Sequence, residues 1–241
     1  MESMKDMPLW IRDIAPSFQG EGLYTGVPII ILRLMVCNLK CSSADGGFDC
    51  DTSDTWKKGH LAKGEKLTPL EIVERVKSVT SSEYVVMLTG GEPLIWQNNE
   101  EFKTMLELLV KASYVIHVET NGTQELTEHT KKYISFFSIS PKQTQYKYMY
   151  NKRVVDSYKE SPHQWKYVIR TQENIDDAIT WLEKYDINSN DLVYLMPEGI
   201  TKEIIDFHTD SLINPSLITF YSHGFLNIGI TGRDQIAGGY K

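Results

Sequence analysis

Strand patterns that alternate with helix patterns constrain the fold of this 241-residue chain more than any other feature. The segment 27–34, VPIIILRL, is a continuous apolar run of the kind found in strands that are covered on both faces. Further strand patterns are 84–88, 114–119, 133–139, 165–169, 191–196 and 216–221.

Helix patterns fall between these strands. Thr68 and Glu71 form a capping box, which predicts a helix with Val73, Val76 and Val79 on its apolar face. Other helices are predicted at 99–112, along 175–182 and from about Thr201. This alternation predicts an α/β fold with a parallel sheet and with its chemistry at the carboxyl ends of the strands. Periodicity leaves a doubly wound sheet and an incomplete barrel equally open.

Composition narrows the function classes. The chain has 25 basic and 32 acidic residues, a net charge of −7, which argues against non-specific nucleic-acid binding. It contains no apolar run of 18 residues, and its first ten residues lack a signal-peptide core. We therefore expect a cytoplasmic protein with no membrane or nucleic-acid partner. Without repeats or linkers, residues 1–241 are expected to form a single domain.

All three cysteines, Cys37, Cys41 and Cys50, lie in one loop after the strand 27–34. An odd number of clustered thiols is a poor disulfide framework. Three thiolates on one loop can hold a 4Fe–4S cluster and leave its fourth iron open to a small molecule. A zinc site would need a fourth ligand, for which His60 is the nearest candidate. Unligated thiols are the third interpretation, and the spacing alone does not decide among them.

Polar residues also stand out at the predicted strand ends. Arg33 interrupts an apolar strand and needs an acidic partner, which could be a ligand carboxylate or a residue on a neighbouring strand. Gly90 and Gly91 would let the backbone approach a ligand, and Glu92 could hold an ammonium group. The alternative for this segment is a plain turn with an exposed Glu92.

Several segments together resemble a known family. They are 17–22 (SFQGEG), 33–41 (RLMVCNLKC), 50–52 (CDT), 89–93 (TGGEP), 119–123 (ETNGT), 138–142 (SISPK) and 223–228 (HGFLNI). In content and order they resemble radical S-adenosylmethionine (SAM) enzymes, specifically the 7-carboxy-7-deazaguanine synthase family. The resemblance implies a single-domain incomplete β/α barrel of the radical-SAM type.

The chain departs from that family at three places. Eight residues separate Cys41 from Cys50 where radical-SAM enzymes usually have two, so 42–49 is interpreted as an insertion in the cluster-binding loop 37–52. The run 220–224, FYSHG, keeps only the histidine of a common Gln-Thr-His-Lys run. The tail 229–241 extends past the usual end.

The resemblance implies roles for individual residues. The cluster ligands are Cys37, Cys41 and Cys50, and Thr52 contacts Mg²⁺, although a loop hydroxyl that caps local backbone is the alternative for Thr52. The implied SAM-binding residues are Thr89, Gly90, Gly91, Glu92, Asn121, Ser138, Ser140 and Lys142. The implied substrate-binding residues are Gln19, Gly20, Glu21, Gly22, Arg33, Glu119 and His223. Plain turns at 19–22 and 138–142 are the alternatives there.

The reaction that the resemblance implies is reductive cleavage of SAM followed by a ring contraction. 6-Carboxy-5,6,7,8-tetrahydropterin would lose ammonia to give 7-carboxy-7-deazaguanine. The implied partners are a one-electron donor such as a flavodoxin and a second copy of the chain in a homodimer. Alternative functions are another radical-SAM enzyme, such as a glycyl-radical activase, and a zinc-stabilised, non-catalytic binding protein.

Overall fold

The computed structural model describes residues 7–45, 48–79, 83–199 and 202–231. Its strands are β1 (Leu9–Phe18), β2 (Pro28–Leu34), β3 (Glu65–Leu67), β4 (Val85–Gly90), β5 (Ile116–Thr120), β6 (Phe136–Ile139), β7 (His163–Ile169), β8 (Val193–Pro197) and β9 (Ile228–Ile230). Its helices are α1 (Pro69–Val79), α2 (Glu100–Lys111), α3 (Glu128–Tyr133), α4 (Gln143–Tyr146), α5 (Lys152–Lys159), α6 (Gln172–Lys184), α7 (Lys202–His208) and α8 (Asn214–Ser222).

One sheet carries all of these strands in the order β3-β1-β2-β4-β5-β6-β7-β8-β9. Every pair from β2 to β9 is parallel, whereas β1 runs antiparallel to both of its neighbours. Since β3 and β9 are edge strands in the described part of the chain, the sheet does not close on itself there. The α/β prediction is confirmed, and the sheet has the open form of an incomplete barrel.

The two faces of the sheet differ in character because side chains alternate along each strand. On β2, Ile30, Leu32 and Leu34 are fully buried in the apolar core, together with side chains of α1 and α2. Arg33 and its β4 neighbour Thr89 lie on the opposite, inner face. Parallel strands carry their carboxyl ends to the same edge of the sheet, so polar residues from different strands meet there.

The loop 19–27 connects β1 with β2 and packs against the sheet. The Gly26 N–H donates to the Gln19 carbonyl at 2.7 Å, and the Tyr24 ring packs against His117 and Phe136. Gly22 has a φ of +74°, which favours glycine, and a Cβ at this position would lie 2.2 Å from the Gln164 amide. The loop thus packs against the beginnings of β5 and β6.

The predicted elements are present with one wrong assignment. The capping box is confirmed, since the Thr68 N–H donates to the Glu71 carboxylate at 2.8 Å. The segment 216–221, predicted as a strand, belongs instead to α8. Its residues Ser216 and Phe220, four apart, are both buried while Ile218 is 76% exposed, which is helical periodicity.

Smaller corrections concern the ends of elements. In α1 the buried positions are Ile72, Val73 and Val76, whereas Val79 is exposed. The predicted strand 133–139 begins only at Phe136, because helix α3 occupies 128–133. Within the proposed tail 229–241, the first two residues belong to β9, and 232–241 lies outside the described residues. Over the described residues, no helix combines the length and apolar character that a membrane span requires.

Candidate active site

A cavity opens at the carboxyl ends of the parallel strands. Its empty space is about 850 Å³, which includes open solvent at the mouth. Its walls come from the loop after β2 (Cys37, Leu39, Cys41, Cys50, Asp51, Thr52), from the end of β4 (Thr89, Gly90, Gly91), from the end of β5 (Glu119, Thr120, Asn121) and from the segment after β6 (Ser140, Lys142). A recess that shares Glu21, Arg33 and Glu119 continues inward to Gln19 and Met87. The topology therefore gathers residues from the whole sequence into one space.

The three cysteine thiols are free and line the same side of this cavity. Burial raises the pKa of Cys37 to about 12 and also raises the pKa of Cys41, so these thiols are protonated at neutral pH until a metal displaces the proton. Two sulfurs accept N–H hydrogen bonds, Cys37 from the Leu39 backbone at 3.4 Å and Cys50 from the Trp56 indole at 3.3 Å. Such donors are found around iron–sulfur ligands, where they stabilise the thiolate.

A single metal ion does not fit this arrangement. Among the described residues, no group of three or more His, Cys, Asp or Glu side chains converges closely enough to hold one ion. His60, the proposed fourth zinc ligand, lies outside the cavity lining, and its Nδ1 is 3.0 Å from the Lys57 carbonyl. Three thiols that line one cavity without converging on a single point fit a larger, polynuclear cluster better than zinc.

The segment after Cys50 is anchored independently of the long loop that precedes it. The Thr52 hydroxyl donates to the Gly90 carbonyl at 3.0 Å, and the Thr55 hydroxyl donates to the Thr52 carbonyl at 2.7 Å. The Val36 N–H in turn donates to the Thr55 carbonyl at 2.9 Å. These bonds attach the third cysteine to the end of β4 and to the approach to the first cysteine. The enlarged gap therefore does not set the position of Cys50.

Gly90 and Gly91 are required by packing. A Cβ on Gly90 would lie 2.2 Å from the Leu34 carbonyl oxygen, and one on Gly91 would lie 1.9 Å from the Val36 carbonyl oxygen. The turn after β4 thus presses directly on the backbone that leads into the cysteine loop. Any larger residue would push these two cavity walls apart.

Glu92 is fully buried, so the turn interpretation with an exposed glutamate is wrong. One carboxylate oxygen accepts from the Leu94 N–H at 3.0 Å and the Thr120 hydroxyl at 2.7 Å, and the other accepts from the Asn121 N–H at 2.7 Å. Burial raises the pKa of Glu92, and these hydrogen bonds oppose that shift. The carboxylate lies behind the cavity wall and joins the ends of β4 and β5.

Hydrogen bonds also fix the wall formed by the end of β5 and the segment after β6. The Asn121 amide donates to Asn38 at 3.0 Å and so connects the end of β5 with the cysteine loop. The Tyr150 hydroxyl accepts from the Lys142 N–H and donates to the Asn121 carbonyl, both at 2.8 Å. The Lys142 ammonium group donates to Ser140 at 2.9 Å, and burial lowers its pKa.

The lining of the inner recess includes one cation, Arg33, and three carboxylates, those of Glu21, Asp51 and Glu119. Arg33 lies 3.4 Å from Asp13 on the neighbouring strand β1 and also lines the recess, so it has the inter-strand partner that was one of its two interpretations. Glu119 accepts from the Thr89 hydroxyl at 2.9 Å and from the Gln19 amide at 3.4 Å. Glu21 forms a largely buried ion pair with Lys166. These charged and polar side chains can bind a small ligand that carries both a carboxylate and hydrogen-bond donors.

Comparison with known proteins identifies the family. The 7-carboxy-7-deazaguanine synthase of Pyrobaculum aerophilum is 30% identical over 200 residues, which cover 80% of this chain and 81% of that relative. This chain belongs to the 7-carboxy-7-deazaguanine synthase family.

Other relatives agree with this assignment. The 7-carboxy-7-deazaguanine synthase of Buchnera aphidicola subsp. Schizaphis graminum is 26% identical over 81% of this chain and 87% of its own length. The one of Bacteroides thetaiotaomicron is 37% identical over 55% of this chain and 60% of its own length. The crystal structure of QueE from Escherichia coli has the same fold, with a TM-score of 0.66, 20% identity and 95% of both chains covered. No family model matches the chain.

Some residues that the synthase-family resemblance implies at the site lie outside the cavity lining. Glu92 and Ser138 lie behind the wall, and the Ser138 hydroxyl accepts from the Gln164 amide at 2.9 Å. Gly20 and Gly22 shape the loop that carries Gln19 and Glu21.

His223 requires a correction. Its predicted role depended on a final strand at 216–221, but it caps the carboxyl end of helix α8. Its half-exposed ring pairs with Glu183 of α6, and it does not line either space. The helix places it on the outer surface, so the structure does not support a contact with substrate.

The lining includes residues that were not predicted, among them Lys166 and Trp56. Lys166 lies between Trp165 and Tyr167 in β7, and its alternation with these two aromatic residues could have placed it on the inner face. Trp56 follows Cys50 by six residues, and no sequence pattern indicates its hydrogen bond to that sulfur.

Proposed function

We infer that this chain catalyses the ring contraction of 6-carboxy-5,6,7,8-tetrahydropterin to 7-carboxy-7-deazaguanine with loss of ammonia. The observation that carries this inference is one cavity, in a chain of this family, that combines three free thiols with a recess holding Arg33 and Glu119. The thiols suit a redox cluster, and the recess suits a small ligand with a carboxylate.

We propose that Cys37, Cys41 and Cys50 hold a 4Fe–4S cluster. When bound, the cluster supplies the electron that splits SAM into methionine and a 5′-deoxyadenosyl radical, which takes a hydrogen atom from the substrate. The chain itself must place the two organic molecules next to each other and keep water away from them. The Leu39 and Trp56 N–H groups stabilise thiolate character on two of the sulfurs.

The binding of SAM is proposed for the walls next to the cysteines. Thr89, Gly90 and Gly91 present their backbone to the cavity, and Asn121, Ser140 and Lys142 offer polar groups opposite them. Glu92 would act from behind the wall by holding the Asn121 N–H. Ser138 accepts from the Gln164 amide, whose oxygen accepts from the Leu23 N–H, so Ser138 would act on the loop 19–27. Orientation of SAM would therefore depend on the contacts between the β4 and β5 turns.

The binding of the pterin is proposed for the recess. Arg33 would pair with its carboxylate, while Gln19, Glu21 and Glu119 offer acceptors to the nitrogen-rich ring. Lys166 already neutralises Glu21, which lowers the cost of burying that carboxylate. Gly20 and Gly22 would act by shaping the loop.

The remaining proposals are a magnesium ion, a homodimer and an electron donor of the flavodoxin class. The Thr52 hydroxyl uses its proton on Gly90, so its oxygen lone pairs stay available to a hard cation shared with substrate oxygens. Sedimentation of the purified protein tests the dimer, and calorimetric titration with Mg²⁺ in the presence of the pterin tests the ion.

Anaerobic reconstitution tests the proposed function as a whole. The protein should turn brown and hold about four irons and four sulfides per chain. With SAM, dithionite and the carboxy-tetrahydropterin it should form a deazapurine that mass spectrometry identifies. A colourless protein with one zinc, or a loaded protein that cleaves SAM but leaves the pterin unchanged, would contradict the proposal.

Arg33→Ala is expected to raise the KM for the pterin while SAM cleavage in the absence of substrate persists. A charge-assisted pair contributes about 1.5–3 kcal/mol, so the increase should be roughly 10- to 150-fold. Steady-state kinetics and a 5′-deoxyadenosine assay measure the two effects. Asp13→Asn, which removes only the neighbour of Arg33, is the matched control and should change KM far less. Loss of the uncoupled cleavage would assign Arg33 to folding.

Trp56→Phe should keep the cluster but lower its reduction potential. The indole N–H donates to the Cys50 sulfur, and removing a bond worth about 1 kcal/mol corresponds to roughly 40 mV for one electron. Redox titration followed by electron paramagnetic resonance measures the shift. An unchanged potential with full iron content would show that this contact does not affect the cluster.

A further inference from the structure

A short basic segment follows the cluster-binding loop in a chain that is acidic as a whole. The segment 57–64, here named the basic turn, contains three lysines and one histidine and no acidic residue, although the net charge of the chain is −7. Lys57, Lys58 and Lys63 are all exposed. Lys40, between the first two cysteines, is exposed as well.

Acidic groups near the basic turn are engaged elsewhere. Glu65 makes a two-bond ion pair with Arg75 at 2.6 Å, and Asp54 is 2.8 Å from Arg12. Asp49 accepts two hydrogen bonds from Ser43, at 2.9 and 3.0 Å. Asp49 and Asp54 also interact through their charges with Lys57 and Lys63, so the lysines of the turn are exposed to solvent and only partly compensated.

The basic turn is joined directly to the proposed cluster ligands. Trp56, the residue immediately before it, donates its indole N–H to the Cys50 sulfur at 3.3 Å, and the Lys57 ammonium group lies 6.0 Å from the centre of the same ring. A molecule seated on the turn is thus one side chain away from a cysteine sulfur.

We propose that the basic turn, with Lys40, is the docking surface for a small acidic one-electron donor protein that reduces the cluster. This inference depends on the proposed function, because it assumes a cluster on the three cysteines. Complementary charge accelerates the encounter of two proteins and orients them, and it contributes less to the strength of the final complex. Docking here would bring the donor to the cluster-bearing side of the protein.

The test compares two reductants on matched charge variants. Lys57→Glu/Lys58→Glu alters the basic turn, and Lys111→Glu/Lys184→Glu makes the same change in net charge on exposed lysines of α2 and α6. At low ionic strength, kcat/KM for reduced flavodoxin should fall at least about tenfold in the first variant alone, and added salt should remove most of the difference. With dithionite, both variants should form 5′-deoxyadenosine at the wild-type rate.

If kcat/KM for reduced flavodoxin were unchanged in Lys57→Glu/Lys58→Glu, or fell equally in both variants, the proposed docking surface would be wrong. Absence of dithionite-driven cleavage in reconstituted wild-type protein would instead overturn the proposed function. In that case, the affinity for oxidised flavodoxin, measured by calorimetry, still tests the docking surface. Weaker binding by the basic-turn variant alone supports it, and equal binding by all three proteins refutes it.

Discussion

Cys50→Ala should reduce the iron and sulfide content of the reconstituted protein to background and abolish SAM cleavage. Two thiolates cannot retain a cluster that needs three protein ligands and an open iron. The fold should persist, because the Cys50 side chain is only partly buried and its interactions with the protein are weak contacts to Trp56 and Thr52. Iron and sulfide analysis, a 5′-deoxyadenosine assay and thermal melting measure the three properties.

Ser42→Ala is the matched control for this change, since Ser42 lies in the same loop and has no proposed ligand role. It should keep full iron content and activity. Retention of cleavage by Cys50→Ala would remove Cys50 from the ligand set and leave the third ligand unassigned. A large drop in melting temperature would instead mean that the segment after Cys50 stabilises the fold through its cysteine.

Glu92→Ala should destabilise the protein by at least about 3 kcal/mol. The change leaves three buried donors, from Leu94, Thr120 and Asn121, without an acceptor, and each unsatisfied donor costs about 1–3 kcal/mol. For a chain of this size, that loss corresponds to a fall in melting temperature of roughly 6 °C or more. Chemical denaturation of the metal-free protein measures it without interference from the cluster.

Two companion variants sharpen this result. Glu92→Gln keeps one acceptor oxygen and should lose less stability, because only the Asn121 N–H then faces an amide donor. Glu128→Ala removes a glutamate whose side chain is 90% exposed and should change stability by less than about 0.5 kcal/mol. If Glu92→Ala unfolded like the wild type but failed to bind SAM, the ammonium-binding role that the resemblance implies would replace the structural one.

Strand positions were predictable where residues are buried on both faces. β2 is apolar except for Arg33, because helices cover its outer face and its inner face lines the recess. β1 was not predicted, because Arg12, Asp13 and Pro16 interrupt its apolar pattern. Its antiparallel pairing with β2 depends on contacts between strands, which a local pattern does not contain.

The error at 216–221 has a simple origin. The residues SLITFY are apolar, β-branched or aromatic, and a short run of this kind has the same appearance in a strand and in a helix. Pro215, at the start of α8, was the informative signal, since proline is favoured in the first turn of a helix. The wrong assignment also gave a wrong position for His223. At a strand end it would face the cavity, whereas at the end of α8 it faces α6.

Within the site, residue identity was more predictable than residue orientation. The cysteines, Gly90, Gly91 and Glu119 line the cavity, as their places at strand ends suggested. Whether Glu92 points into the cavity or behind it depends on the donors at Thr120 and Asn121, which come from another strand. The pairing of Lys166 with Glu21 likewise joins residues 145 positions apart, beyond the reach of local patterns.

The contact between the Gly22 N–H and the Thr231 hydroxyl, 2.6 Å long, has a practical consequence for handling this protein. A chain truncated before β9 would keep every cysteine and every residue of the recess. It would lose the hydrogen bond that fixes the loop bearing Gln19 and Glu21. A preparation cleaved near the carboxyl terminus would therefore show full metal content and still give a wrong affinity for the pterin. Intact mass should accompany every kinetic preparation.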